Sequence, residues 1–387
     1  MKHKVKSYLN HCEEDISIIC NELYNTPEES YKEQYASSLI SSILKKHNFT
    51  IEKDILDIKN SFYAYKGTGH PKICFLCEYD AIPNKGHITG HNLLSSISVL
   101  AGLCLGNAVT DMEYGSSIII GCPGEYLGGT KNLMAKQGLF DDIDVVMVVH
   151  PQTKTIESGT SSAIIPLSIS FSKEDGLSFL NEEKYNSLDA ILLTFNIINT
   201  LAKGFDDGVE IHSILSKGGE TPLLIPKTSE GKFYIRAKNT KTAEICESKI
   251  KLVAKTVGDL MNIESKISLY EPPNEELLTN STLNRLLNNN LKEAGIINIL
   301  PSVGTKAGLS IGTISKIVPT IHSYICITDD EKISYGSTDF ADATIKPFAL
   351  EQCKKAGISL ALTGLDLIIN KTLLHETKTE FYNNKSL

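Results

Sequence analysis

Apolar residues recur along the chain with two periods, and the change of period divides it into helices and strands. At the start they follow helical spacing, which predicts two amphipathic helices, from Val5 to Asn25 and from Tyr31 to His47. Short apolar runs then alternate with helical stretches. The predicted strands are 49–52, 61–65, 73–79, 116–122 and 144–149, and the predicted helices are 92–105 and 129–137. This alternation favours a mostly parallel sheet with helices on both faces.

The pattern changes character from about residue 163, where it predicts a smaller α+β domain. Its predicted strands are 165–171, 210–215 and 233–237, and its predicted helices are 188–201 and 242–261. A helix near 281–294 returns to the first domain, and a helix over 348–370 closes it. The predicted fold class is therefore α/β, with a catalytic domain of residues 1–162 and 273–387 and an inserted α+β lid of residues 163–272.

Composition narrows the class of protein. The chain has 387 residues, of which 41% are hydrophobic and 22% charged, as in globular proteins. A net charge of -8 without a basic stripe argues against nucleic acid and membranes as partners. The nine cysteines are odd in number and several lie in apolar runs, which favours reduced thiols and a cytoplasmic location.

Polar residues with chemical potential follow several of the predicted strands. Asp80, His91, Glu125 and His150 all lie at or just after the ends of strands that we expect to be parallel. Because such ends meet at one edge of a sheet, these side chains are expected to converge there. Two imidazoles and a carboxylate suit a divalent metal such as zinc, and a further carboxylate suits a general base. The alternative is that a histidine at a strand end only caps a helix or closes a strand.

Six segments, in order along the chain, carry a family resemblance. They are Asn25–Glu33 ("NPE…FEE"), Cys77–Pro83 ("CEYDALP"), Gly86–Asn92 ("GHACGHN"), Gly121–Lys131 ("GTPAEE…GGGK"), His212–Pro226 ("HGII…GG…PNIIP") and Val318–His322 ("VPSIH"). The chain resembles the zinc aminoacylase and carboxypeptidase-G-type metallopeptidases. The most similar branch is that of the amidohydrolases, with hippurate hydrolase, p-aminobenzoyl-glutamate hydrolase and the β-alanyl-lysine dipeptidase group.

The resemblance implies an activity and roles for particular residues. It implies cleavage of an amide bond in an N-acyl amino acid or dipeptide-like molecule, and a homodimer formed through the lid. His91 and His150 match metal ligands, and Glu125 matches the general base that activates water. Arg236 and His212 both match positions in the family's lid and are expected to contact substrate.

The departures from the family pattern fall on the metal site. Thr89 stands where this branch has a cysteine ligand, and Tyr126 stands where it has a glutamate ligand. Near Tyr335 the family's C-terminal histidine ligand is missing. Threonine and neutral tyrosine are weak ligands beside thiolate and carboxylate. His322 is retained, and we expect it to be structural.

Three interpretations therefore stay open. The first is a hydrolase with one divalent metal (zinc, manganese or cobalt) on His91 and His150. The second is a metal-free enzyme in which Cys122, Glu125, Tyr126 and His150 supply the nucleophile and the acid–base groups, with Asp80 as a further candidate. The third is a catalytically inactive relative that binds a peptide-like ligand or a partner protein.

Overall fold

The chain folds into two units, each with its own sheet and core. The computed structural model describes residues 1–180, 185–206 and 208–385. The first unit comprises Met1–Thr160, Leu277–Gly304 and Thr313–Leu387, and the second comprises Ser161–Glu276 and Thr305–Gly312. In chain order the elements are α1 (Lys2–Asn25), α2 (Gln34–Lys46), β1 (Thr50–Lys53), β2 (Phe62–Thr68), β3 (Lys72–Cys77), α3 (His91–Val109), β4 (Gly115–Gly121), α4 (Lys131–Lys136), β5 (Val145–Gln152), β6 (Ala163–Ser172), β7 (Gly176–Leu177), α5 (Ser187–Leu201), β8 (Glu210–Lys217), β9 (Leu224–Ile225), β10 (Thr228–Ala237), α6 (Thr240–Met261), β11 (Glu264–Leu269), α7 (Ser281–Glu293), α8 (Ile311–Ser315), β12 (Thr320–Cys326), α9 (Thr338–Ala343), α10 (Pro347–Ile369) and α11 (Lys371–Lys385).

The first unit is built on a six-stranded sheet in the order β1-β2-β4-β3-β5-β12. Strands β4, β3, β5 and β12 are parallel, and β1 and β2 extend the sheet as antiparallel strands. The parallel strands are buried along nearly their whole length, which is why they read as continuous apolar runs. The predicted α/β class is confirmed.

Helix α3 forms the centre of the first unit. It packs against β3, β4 and β5 and against α1 and α10, and every residue except Asn107 is buried. Its length and apolar composition would also suit a membrane span, but nearly all of it lies inside the unit. Close packing on α10 requires Gly357, where a Cβ atom would lie 2.7 Å from Cδ2 of Leu100.

The end of the chain differs from the sequence-based expectation. The predicted last helix corresponds to α10, but a further helix, α11, follows it after Asn370. The Glu380 carboxylate accepts hydrogen bonds from the backbone N–H groups of Ser281 and Thr282, at the start of α7. Helix α11 thus belongs to the first unit and supplies a cap for another helix.

The second unit has a four-stranded antiparallel sheet in the order β11-β6-β10-β8. Along β10 burial alternates with the period of a strand, and Phe233, Ile235 and Ala237 point into the core. Helices α5 and α6 pack against this sheet. The predicted lid, 163–272, falls within this unit.

Candidate active site

Side chains from several strand ends meet at the carboxyl edge of the parallel strands in the first unit. Glu78 follows β3, Glu125 lies just beyond β4, and His150 lies near the end of β5. His91 is the first residue of α3, after Gly90 in a left-handed conformation (φ 83°). The four side chains come from four separate segments, so their proximity is a product of the fold.

Glu78, His91 and His150 form the tightest group of metal-ligating side chains among the described residues. One donor atom from each lies within 4.8 Å of the other two, and all three residues are buried. His150 donates its Nδ1 hydrogen to the backbone oxygen of Pro151 at 2.8 Å, which leaves Nε2 as the unprotonated nitrogen. Burial lowers the pKa of His150 to about 3 and keeps the ring neutral, the form that binds metals.

Asp80 orients the second imidazole. Its Oδ1 lies 2.8 Å from Nδ1 of His91, while Nε2 of His91 lies 3.3 Å from Oε2 of Glu78. Burial opposes a charge on His91, but Asp80 and Glu78 outweigh it and raise the pKa of His91. A carboxylate on the outer nitrogen of a ligating histidine is the usual arrangement at metal sites.

The donor set fits one divalent cation. Two imidazole nitrogens and a carboxylate oxygen are ligands that zinc, manganese and cobalt accept, and they leave coordination positions open. The outer carboxylate of Asp80 and the neutral state of His150 support the same conclusion. Glu78, His91 and His150 are therefore the residues that would hold the ion.

A buried lysine joins two of the carboxylates. Nζ of Lys131, the first residue of α4, lies 2.6 Å from Glu78 Oε1 and 2.5 Å from Glu125 Oε2. The Lys131 side chain is 0% exposed. Burial opposes its charge, but Glu125 and Glu78 outweigh this effect and raise the pKa of Lys131. Lys131 therefore provides a permanent positive charge beside the three candidate ligands.

Tyr126 covers one face of the candidate metal group. Its ring stacks on that of His91, with centroids 4.6 Å apart and planes 18° from parallel. Its hydroxyl is hydrogen-bonded to Oγ1 of Thr89. Burial raises the pKa of Tyr126, so the phenol stays neutral. The two residues that replace family ligands are thus bonded to each other.

Cys122, considered as a nucleophile, is fully buried at the end of β4. Burial raises its pKa to about 12, so the thiolate is scarce at neutral pH. These are the properties of a packed thiol.

The two lid residues, Arg236 and His212, both lie in the second unit. Arg236 Nη1 is 3.9 Å from Glu210 Oε2, and its Nε is buried with no hydrogen-bond partner among the described residues. His212 is exposed on β8 and pairs in register with Tyr234 of β10. Their part in substrate binding stays a prediction.

Three residues of this region were missed as functional candidates. Glu78 and Lys131 were visible only as letters of the two motifs that contain them, with no indication that they pair. His322, on β12, was expected to be structural, yet its ring lies 5.5 Å from that of His150. Its Nδ1 is buried without a hydrogen-bond partner in the described part of the chain, and burial lowers its pKa to about 4.

Comparison with known proteins agrees with this geometry. No protein-family model matches the chain. It is 29% identical to the Xaa-Arg dipeptidase of Mus musculus over 322 residues, which cover 80% of this chain and 73% of that protein. It is 24% identical to the Xaa-Arg dipeptidase of Homo sapiens over 98% of this chain and 92% of that protein. It is 28% identical to one of the p-aminobenzoyl-glutamate hydrolase polypeptides of Escherichia coli K12, over 57% of this chain and 50% of that protein.

Solved structures show the same fold. An aminobenzoyl-glutamate utilization protein from Klebsiella pneumoniae superposes with a TM-score of 0.70 at 12% identity, covering 92% of this chain and 98% of that one. A dinuclear metal-binding peptidase of the M20 family from Bacillus subtilis superposes with a TM-score of 0.63 at 13% identity, covering 90% and 98%. The resemblance to the amidohydrolase branch of these metallopeptidases is confirmed. So is the predicted class, an amidohydrolase- or peptidase-like hydrolase.

Proposed function

We propose that the protein hydrolyses the amide bond of an N-acyl amino acid or a dipeptide-like small molecule, with a single divalent cation. The observation that carries this proposal is the convergence of Glu78, His91 and His150, with Glu125 joined to the same group through Lys131. The names of the relatives, a dipeptidase and an aminobenzoyl-glutamate hydrolase, support the class of substrate.

The ligands of the cation are Glu78, His91 and His150, and zinc, manganese or cobalt suits them. When bound, the cation supplies Lewis-acid polarisation of the amide carbonyl and lowers the pKa of water. Asp80 fixes the ring of His91, and Pro151 fixes that of His150, so neither imidazole has to be ordered on binding.

Glu125 is the proposed general base. Its side chain is 16% exposed, so it is reachable from the solvent side. The ammonium of Lys131 favours the ionised form of this carboxylate, which can then accept a proton from water and pass it to the leaving amine. Lys131 also balances the charge of Glu78, which would otherwise face Glu125 across a buried space.

Metal content tests the proposal first. The protein is purified without chelator, equilibrated with zinc, manganese or cobalt, and analysed by elemental mass spectrometry beside a His91→Ala/His150→Ala variant. His375→Ala, on α11, is the matched control. We expect about one equivalent in the wild type and the control and none in the double variant. No bound metal in the wild type would end the metallohydrolase interpretation.

Activity is then measured on a panel of N-acyl amino acids and dipeptides. Glu125→Gln should lower kcat roughly a hundred- to ten-thousand-fold, the usual contribution of a general base, while metal content stays the same. An activity that survives Glu125→Gln unchanged would remove Glu125 from the proposed role.

A second candidate function is that of an inactive relative that binds a peptide-like ligand or a partner protein. The bond between Thr89 and Tyr126 favours it, because both residues stand where the amidohydrolase branch has ligands. Calorimetric binding of the same panel without turnover would support this candidate and contradict the first.

We further propose that the protein is a cytoplasmic homodimer that associates through the second unit. Ile245, Leu252 and Leu260 are 50%, 64% and 74% exposed and lie about two helical turns apart along one side of α6. All nine cysteines are free, as in a reducing compartment. Light scattering should give twice the mass of the chain, and Leu252→Asp should reduce it to that of a single chain.

A further inference from the structure

The segment between α1 and α2 carries a motif to which the proposed function assigns no part. Glu33, which ends this segment directly before α2, has a side chain with no solvent exposure. Its Oε1 accepts a hydrogen bond from the backbone N–H of Gly124 at 2.7 Å. Gly124 directly precedes Glu125. A buried carboxyl group distant in sequence therefore holds the peptide unit beside the proposed base.

The peptide unit on the other side of Glu125 is held in the same way. The backbone N–H of Tyr126 donates to Oδ2 of Asp80 at 2.9 Å. Ser30, from the same segment as Glu33, donates its hydroxyl to that Oδ2 at 2.7 Å. Both peptides that flank Glu125 are thus bound by buried carboxyl groups, and the segment 30–33 supplies or supports each of them.

The loop that carries Glu125 needs such support because of its sequence. Gly124, Gly128 and Gly129 adopt φ values of 80°, 88° and 72°, in the left-handed region, and glycine restricts the backbone least of all residues. The ring of Tyr31 also lies against Gly124, where a Cβ atom would come within 2.5 Å of it. The position of the loop is therefore set by contacts from outside it.

Burial raises the pKa of Glu33 to about 7, and the nearby charge of Asp80 acts in the same direction. Its second oxygen, Oε2, is buried without a hydrogen-bond partner in the described part of the chain. A neutral carboxyl group at this position accepts the Gly124 hydrogen without adding charge beside Asp80. An amide of the same size would do the same.

We propose that Glu33 is a positioning residue: by binding the Gly124 peptide it fixes the loop 124–127, so that the Glu125 carboxylate is held in its reactive position. This inference rests on the proposed role of Glu125 as general base. It predicts that the length of the Glu33 side chain and its accepting oxygen matter, whereas its negative charge does not.

The test compares three variants at Glu33 with a control from the same segment. Glu33→Ala removes the acceptor, Glu33→Asp keeps a carboxyl group but withdraws it from Gly124, and Glu33→Gln keeps an acceptor at the same length. Glu29→Ala is the control, since the Glu29 side chain is exposed and forms its ion pair with Lys32, at 2.8 Å, within the same segment. Each is examined by hydrogen–deuterium exchange of the 122–130 peptide, by metal content and by kcat and KM.

We expect faster exchange at 122–130 in the Ala and Asp variants, with the β5 and α3 peptides unchanged. We expect kcat to fall roughly ten- to a hundred-fold in both, as misplaced catalytic groups typically do, with KM and metal content unchanged. Glu33→Gln should stay within about threefold of the wild-type kcat. If Glu33→Ala fails to fold, Glu33→Asp and Glu33→Gln carry the comparison.

Unchanged exchange and kcat in Glu33→Asp would overturn the inference, and so would a Gln variant as impaired as Ala. Exchange that rises equally throughout the first unit would show a role in stability only and would also overturn it. If the wild type hydrolyses nothing, the proposed function fails separately, because the loop exchange is measured without substrate.

Discussion

The side-chain oxygens of Thr89 and Tyr126 are hydrogen-bonded to each other beside the candidate metal group. Both residues stand at positions where the amidohydrolase branch has a strong ligand, and here they satisfy one another. Since the Tyr126 ring also stacks on His91, the pair closes one side of the group formed by His91, Glu78 and His150. The chemistry and the packing both favour one cation.

Restoring the two ligands should add a second cation. In a Thr89→Cys/Tyr126→Glu variant, a thiolate and a carboxylate replace two neutral hydroxyls, and both bind divalent metals far better. We expect metal content to rise from about one equivalent toward two. Thr89→Val/Tyr126→Phe, which breaks the same bond without adding ligands, is the control and should stay at one. Equal metal content in both variants would contradict the prediction.

Asp80 should matter for metal affinity, although it is not one of the three candidate ligands. It accepts from Nδ1 of His91 and so fixes the ring that presents Nε2 to the ion. Loss of such an outer carboxylate typically weakens metal binding about ten- to a hundred-fold. We therefore expect Asp80→Ala to raise the Kd for zinc by that factor in a competition titration with a chromophoric chelator. The exposed Asp57→Ala is the control, and an unchanged Kd in Asp80→Ala would contradict the prediction.

The sequence was sufficient to predict the fold class and the edge at which the site lies. Continuous apolar strands with polar residues after them indicate a buried parallel sheet, and His91, Glu125 and His150 were found by that argument. Glu78 was missed because it directly follows a strand whose side chains alternate, and only the structure shows which way it points. Lys131 was missed because a lysine is rarely buried without a carboxylate partner, and its partners cannot be recognised from the sequence.

Helix α11 escaped prediction for another reason. Its sequence, from Lys371 to Lys385, is mostly polar, with no strong apolar stripe after Asn370. What stabilises it is tertiary: Glu380 binds two N–H groups of α7, and Phe381 is nearly buried. Short-range pattern cannot show such contacts, because they depend on where α7 lies.

Lys131 should be essential for the stability of the first unit. Without its ammonium, Glu78 and Glu125 would be left facing each other without compensation, and such a loss typically costs about 3–5 kcal/mol. We expect Lys131→Met to lower the free energy of unfolding in urea by this amount, and Lys131→Met/Glu125→Gln to recover part of it. Lys136→Met, exposed on the same helix, should change it by less than about 0.5 kcal/mol. A double variant no more stable than the single one would contradict the charge argument.

The pH dependence of stability should reveal the buried Glu33. Its pKa is about 7 in the folded chain against an ordinary value of 4.5, because burial disfavours the charged form. Between these values the folded protein holds a proton that the unfolded chain has released, so the free energy of unfolding falls as the pH rises and is highest below the lower value. A difference of this size corresponds to roughly 3 kcal/mol. Glu33→Gln, which does not ionise, should lose this part of the slope, and urea unfolding at a series of pH values from about 5 to 8 measures it. Parallel profiles for the wild type and the variant would show that Glu33 has an ordinary pKa in the folded chain.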